Sequence, residues 1–366
     1  MTTQELFFKL LRYKSITPDD DGAFDFIKDY LSHYEHTIID VEDTKNIFIY
    51  KKFGDGPHLS FAGHIDVVPP GDGWDTDPFE PILKDGIVYA RGTQDMKSGV
   101  CAFIQAMKKT ENFNGTLSAI LTSDEEGEGT YGTIEVLKYL KEIDFLPDFS
   151  IVAEPTSEEK FGDAIKIGRR GSINGYLEIK GKQGHAAYPE KSVNPISLIS
   201  PFLDEITDYL FDEGDENFAP SQLVVTDIRA GMEVTNVTPA NLKMMFNVRN
   251  STNTTKEDIQ DYIESLCRGL NFTLKLIQGS SPFVTCKDSY IVTAIQNALK
   301  QTTGRIAKLS TAGGTSDARY LSQFGIDSIE CGVKNDTIHG INERCDIDEV
   351  EKLEKVFLHV IENFNN

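Results

Sequence analysis

The chain has 366 residues, enough for roughly two domains and a large buried core. Its 36 Lys and Arg stand against 58 Asp and Glu, a net charge of −22 that disfavours nucleic acid and anionic membrane as partners. No apolar run approaches membrane-spanning length, the N-terminus has no charged-then-apolar leader, and the five cysteines are scattered without C-x-x-C; a soluble, reduced, cytoplasmic protein without disulfide framework or cysteine zinc site is expected.

Apolar spacing predicts helices over 3–14 and 23–35. Strands follow at 46–51 and 58–62, joined by Gly54-Asp55-Gly56-Pro57 as a hairpin-type turn. A Pro/Gly-rich loop, 69–81, carries the only tryptophan, Trp74, and is long enough to cover something. A strand at 87–89, a loop at 90–97, a helix over 98–110, a strand at 117–121, a helix over 131–142 and a strand at 149–153 come next. This alternation predicts a three-layer α/β unit with a largely parallel sheet, whose sites lie at the carboxyl ends of strands.

Beyond Gly168-Arg169-Arg170-Gly171 the pattern changes. Strand 172–180, helix 194–210, strands 222–230 and 240–249, helix 256–269 and strand 271–278 give the β-α-β-β-α-β order of a ferredoxin-like α+β domain. The α/β pattern then resumes with a helix near 289–303, a segment at 305–309, a glycine-rich turn at 311–315, a helix from 316, a strand at 326–331 and a helix over 347–364. We therefore expect a discontinuous catalytic domain, 1–170 plus 284–366, interrupted by an inserted domain, 171–283.

The chemistry concentrates at predicted strand ends. Leu59-Ser60-Phe61-Ala62 runs into Gly63-His64-Ile65-Asp66, and alternation places His64 and Asp66 on one side, so that the carboxylate can reach the imidazole. Such a pairing fixes the tautomer of a metal-bound histidine. Asp95, the adjacent Glu125 and Glu126, Glu154, and His339 occupy further segments that a parallel sheet brings to one crevice. Carboxylates crowded there repel one another unless a cation neutralises them. Imidazole and carboxylate without cysteine suit zinc or another first-row divalent ion, and a bridging carboxylate would allow two. Two metals are a recurring device for hydrolysis. Side chains of adjacent residues diverge on an extended segment, so one of Glu125 and Glu126 can bind metal while the other serves as general base; spacing does not say which.

Gly63-His64-Ile65-Asp66-Val67-Val68-Pro69, Arg91-Gly92-Thr93-Gln94-Asp95-Met96-Lys97, Ser123-Asp124-Glu125-Glu126-Gly127 and Ala153-Glu154-Pro155 together resemble the dinuclear zinc amidohydrolases and exopeptidases, a family of aminoacylases, carboxypeptidases and N-acyl amino acid deacylases. The resemblance spans nearly the whole chain. It implies a zinc-exopeptidase-like catalytic domain with an inserted dimerisation domain, and two Zn²⁺ per subunit, with Co²⁺ as a possible substitute. Asp95 would bridge the two ions, His64 and Glu154 completing one site, Glu126 and His339 the other. Glu125 would be the general base and acid, with Asp66 behind His64. A cis peptide after Asp95 is implied as well.

Three further stretches, 168–172, 181–189 and 311–319, narrow the resemblance to the desuccinylase branch, whose substrate carries carboxylates at both ends. Arg169, Arg170 and Arg249 offer planar bidentate donors for them within an otherwise acidic chain. Gly314 and Thr315 can present backbone N–H groups and a hydroxyl to an anion. Asn236 and Asn335 complete the expected substrate-binding set. The resemblance implies that His185 and Asn236 reach the partner's active site in a homodimer, His185 stabilising the oxyanion. Two departures from the branch stand beside the bridging aspartate: the segment Gly92-Thr93-Gln94 is not alanine-rich, and Ser98 occupies a usual glycine position. Competing expectations are an acetylornithine deacetylase-like enzyme, a dipeptidase, or a metal-free binding protein of the same fold.

Overall fold

The structure, a computed structural model, describes residues 1–127 and 129–364. Two compact units are present: Met1–Gly168 with Thr285–Ser310 and Ser316–Asn366, and Arg169–Val284 with Thr311–Thr315.

The first unit is built on an eight-stranded sheet. Across it run Glu35–Val41, Thr44–Lys52, Thr116–Thr122, His58–His64, Phe149–Val152, Asp327–Glu330, Ala164–Lys166 and Lys308–Ser310. Its centre is parallel: His58–His64 pairs in parallel with both Thr116–Thr122 and Phe149–Val152, which pairs in parallel with Asp327–Glu330. Thr44–Lys52 pairs antiparallel with both Glu35–Val41 and Thr116–Thr122, so the sheet is mixed. Every residue of His58–His64 and of Thr116–Thr122 is buried, which explains why both are largely apolar on both faces, Ser60 and Ser118 apart.

Helices Thr3–Leu11, Lys97–Lys109, Tyr290–Thr303 and Ile347–Asn363 pack as one group. Thr133–Glu142 packs with Ala318–Gln323 as another. Phe61 of the central strand lies between Phe103 and Phe357, at centroid distances of 5.5 and 5.0 Å, and ties the sheet to the first group. Thr2 and Glu5 form a capping box that starts the first helix, satisfying two otherwise orphan N–H groups.

The second unit carries a four-stranded antiparallel sheet in the order Gln222–Ala230, Asn241–Arg249, Ser172–Lys180, Phe272–Ser280. With its helices this is the ferredoxin-like arrangement. Alternate residues of Ser172–Lys180 and Asn241–Arg249 are buried, and Ile173, Leu177, Ile179, Met244, Phe246 and Val248 join Ile259 and Ile263 of helix Lys256–Leu266 in one core.

Three local expectations are corrected. The helix expected to reach residue 35 stops at Tyr30, and Glu35–Val41 is an edge strand whose half-exposed face gave no clean periodicity. The strands around 46–51 and 58–62 are not a hairpin, because Thr116–Thr122 lies between them. Residues 54–57 instead turn the chain against Gly115, whose carbonyl accepts the N–H groups of Phe53 and Gly54. The helix expected over 194–210 is broken into Pro195–Ile199, a 3-10 turn Ser200–Phe202, and Leu203–Ile206. Pro201 has no N–H to continue an α-helical ladder.

Candidate active site

All the candidate metal ligands belong to the first unit; His64, Glu126 and Glu154 sit at or just past strand ends, Asp95 lies just before a helix, and His339 lies in the loop between Asp327–Glu330 and Arg344–Asp346. His64 closes the central strand and is fully buried. Glu154 follows the neighbouring strand Phe149–Val152, and Glu125 and Glu126 follow Thr116–Thr122. Asp95 precedes helix Lys97–Lys109, and the Asp95–Met96 bond is cis. That helix packs tightly beside the Glu154 strand end: a Cβ on Gly99 would stand 2.1 Å from the Ala153 carbonyl oxygen. His339 adopts a left-handed backbone, φ 57°, a conformation a non-glycine residue holds only when its surroundings enforce it.

The resulting geometry centres on Asp95. Its Oδ1 lies 3.1 Å from His64 Nε2 and its Oδ2 lies 3.3 Å from His339 Nε2. His339 Nε2–H also donates to Glu126 Oε1 at 2.9 Å. His64 Nε2 stands 3.7 Å from Glu154 Oε1 and 4.0 Å from Glu125 Oε2. Ligand atoms of His64, Asp95 and Glu126 all fall within 4.8 Å of one another. One carboxylate therefore faces two imidazoles, each of which has a second carboxylate close by.

Asp66 works differently from the expectation. The His64 ring Nδ1–H donates to the Asp66 backbone carbonyl at 2.9 Å, while the Asp66 carboxylate is 3.6 Å away. That carboxylate accepts the backbone N–H groups of Glu125 and Glu126, at 3.4 and 3.1 Å. It aligns the glutamate pair, and the carbonyl fixes the tautomer, leaving Nε2 as the ligand atom.

The electrostatics show what the cluster needs. Burial pushes Glu125 well above the ordinary carboxylate range, with His64 opposing and Asp317 adding to the rise. Burial does the same to Glu154, reinforced by Asp95. Asp66 is raised by burial to about 6. Burial acts upward on Asp95 too, but hydrogen bonds from His339 and His64 outweigh it and leave the group below its usual range. Burial disfavours charge on His64, yet Asp95 and Asp66 drive it well above 6.5, and Asp95 and Glu126 raise His339 to about 10. Both imidazoles are thus pulled toward the cationic state by the surrounding carboxylates. Positive charge is what this donor set requires, and imidazole with carboxylate and no thiolate fits a first-row divalent metal ion.

The remaining candidates divide between the units. Asn335 is in the first, where its side-chain amide donates to the Pro155 carbonyl at 3.4 Å. In the second, His185 is exposed on a short strand paired with Val237–Thr238. The Asn236 carbonyl accepts the Ala186 N–H at 2.9 Å, bringing Asn236 beside it. Arg169 is buried and donates to the Ala312 carbonyl at 3.2 Å, next to the exposed Gly314 and Thr315. Arg249 is exposed at the end of its strand.

Sequence reasoning missed Glu343 and gave Arg91 no role. The two form a buried ion pair at 2.7 Å behind the Asp95 loop. Glu343 sits in a polar stretch, Asn342-Glu343-Arg344, that reads as a solvated turn, and its partners are some 250 residues away. No local signal marks it.

Over residues 60–363 the chain matches the model of Peptidase family M20/M25/M40. It is 59% identical over 364 residues to a succinyl-diaminopimelate desuccinylase of Sulfurimonas denitrificans, and 60% identical over 366 residues to one of Aliarcobacter butzleri, covering all of both chains in each case. Among solved structures it is similar to the M20 family metallo-carboxypeptidase Sso-CP2 of Sulfolobus solfataricus (16% identity, 99% of each chain, TM-score 0.80). It is also similar to the Bacillus subtilis YXEP protein, described as a dinuclear metal binding peptidase (15% identity, 98% and 96% of the two chains, TM-score 0.71). No helix among the described residues is long and apolar enough to cross a membrane. With metal-suited donors at the strand ends of an α/β unit and full-length relatives of this identity, the chain belongs to peptidase family M20/M25/M40.

Proposed function

We propose that the chain hydrolyses N-succinyl-LL-2,6-diaminopimelate to succinate and LL-2,6-diaminopimelate, a step of bacterial lysine and diaminopimelate formation. The observation that carries this reading is identity of 59–60% over the full length with proteins named for that reaction. The metal-suited cluster around Asp95 supports hydrolysis as the chemistry. Two Zn²⁺ per subunit are proposed, replaceable by Co²⁺: His64 and Glu154 would hold one, Glu126 and His339 the other, with Asp95 shared. Bound divalent ions supply Lewis acidity and a water that ionises near neutral pH.

The protein's own part is proton handling and alignment. Glu125, held by the Asp66 carboxylate through its backbone N–H, takes the proton of the attacking water and passes it to the leaving amine nitrogen. Its burial favours retention of that proton until the amine departs. Arg169, Arg249, Gly314, Thr315 and Asn335 would bind the substrate's carboxylates and backbone. His185 and Asn236 would donate to the oxyanion in the partner's site of a homodimer. The proposed location is the cytoplasm; all five cysteines are free, which suits a reducing compartment.

Succinate release from succinyl-diaminopimelate, assayed with and without chelator and beside acetylornithine, tests the reading. Chelator-sensitive release of succinate, with acetylornithine turned over far more slowly, is expected. Preference for acetylornithine, or turnover indifferent to a chelator that strips the metal, would overturn it.

A further inference from the structure

Two loops bring ligands from opposite ends of the chain: residues 91–95 carry Asp95, and residues 334–344 carry His339. Loops are the mobile part of a fold, so something must set their separation. Glu343 is fully buried and directed back into the first loop. Its Oε2 accepts from Arg91 Nη1 at 2.7 Å and from the Gly92 N–H at 3.0 Å. Its Oε1 accepts the N–H groups of Gln94 at 2.7 Å and of Asp95 at 3.3 Å. One carboxylate thus gathers three backbone donors of the Asp95 loop, and the Thr93 hydroxyl donates to the same Oε1 at 3.4 Å. Gly92, at φ 83°, supplies the left-handed backbone this wrapping requires.

Two side chains return the connection. Arg91, 2% exposed, donates to the Gly340 carbonyl at 3.2 Å and to the His339 carbonyl at 3.4 Å. Its guanidinium lies 5.2 Å from the Trp74 ring, which covers it. Gln94 donates from Nε2 to Asp336 Oδ1 at 2.5 Å and accepts the Thr337 N–H at 2.8 Å. The glutamine that departs from the family branch is therefore a clamp on the His339 loop.

We propose that Glu343, Arg91 and Gln94 act as a latch of positioning residues that fixes the His339 imidazole relative to Asp95, and so sets the affinity of the ion that Glu126 and His339 would hold. His64 does not depend on the latch, since the Asp66 carbonyl orients its ring and a central strand carries it. The inference rests on the metal reading above. It predicts unequal loss: outer groups that orient ligands are typically worth about 10–100-fold in metal affinity.

The test is titration of the metal-free full chain with Zn²⁺ against a competing chelator, for wild type, Glu343→Gln and Gln94→Ala. In each variant one equivalent should bind about 10–100-fold more weakly and the other should lose distinctly less, because Asp95 is the only one of its ligands that the latch touches. Gln94→Ala leaves no buried charge unpaired and decides the matter if Glu343→Gln fails to fold. Two equivalents at unchanged affinity in Gln94→Ala would overturn the latch, as would equal weakening of both with a lowered melting temperature of the metal-free chain. Wild type that takes up no Zn²⁺ would instead remove the metal reading, and the latch with it.

Discussion

His64 Nε2 lies 3.1 Å from Asp95 Oδ1, an approach made by a strand end and a loop that leads into a helix. His64 arrives there with its other ring nitrogen already committed to a backbone carbonyl. The second oxygen of Asp95 faces His339. A carboxylate that spans two imidazoles, with Glu154 and Glu126 flanking, would serve as the bridge between cation sites in the proposed mechanism. Glu125 is the acid in this group whose neighbours align it without engaging its carboxylate closely.

Glu125→Gln follows from that placement. The amide keeps size and shape but cannot take a proton, so metal content should stay at the wild-type level while kcat falls by about 10²–10⁴-fold. Metal analysis beside steady-state kinetics checks both halves. An active, metal-replete variant would remove Glu125 from the mechanism.

Much of this was legible in the sequence because the chemistry and the periodicity coincide. Leu59-Ser60-Phe61-Ala62 reads as a buried strand and ends in His64, so one stretch reveals both the element and its terminal imidazole. The four-strand, two-helix order of the second unit is legible for the same reason: alternate burial leaves a period-two pattern in residues 172–180 and 241–249. Strand order is another matter. Nothing local says that Thr116–Thr122 enters between Thr44–Lys52 and His58–His64, since insertion is decided by long-range pairing. Asp66 shows a similar limit at atomic scale: spacing placed its carboxylate within reach of His64, but backbone N–H groups of Glu125 and Glu126 compete for it. Glu343 is the extreme case, with its whole role in contacts distant along the chain.

His185 stands exposed on a two-residue strand, and its ring contacts are local: Nδ1 accepts the Ala187 N–H at 3.1 Å and the ring meets Tyr188 edge-on at 5.8 Å. His185→Ala should therefore leave metal content and melting temperature unchanged. As an oxyanion donor it should cost about 10²–10³-fold in kcat. Unchanged kcat would refute the role, and a lowered melting temperature with proportionate activity loss would make the residue structural.

Phe61 is fully buried and stacked on Phe103 with an interplanar angle of 9°. Phe61→Ala removes the ring joining the central strand to helices Lys97–Lys109 and Ile347–Asn363, leaving a cavity that close-packed helices cannot fully close. The expected cost is about 3–5 kcal/mol, read from urea unfolding. Phe61→Leu should recover a good part of it. A loss below about 1 kcal/mol for the alanine variant would show that the site collapses around the missing ring.

His58 gives a pH signature that is independent of the metal cluster. It begins the central strand and is buried, with Nε2 2.7 Å from Ser118 Oγ and aromatic neighbours Phe48 and Phe145. Burial lowers its pKa to about 4, Asp148 opposing. The unfolded chain, with an ordinary histidine near 6.5, binds a proton between those values that the folded chain refuses. Stability must then rise with pH across that window and fall on acidification from about 6.5 to about 4, by up to roughly 3 kcal/mol from this residue. His58→Phe keeps a ring in the cluster and removes the proton. Urea unfolding of the metal-free protein at several pH values should give a shallower decline for the variant than for wild type across the window. Parallel curves for the two would mean that His58 is not held neutral by the fold.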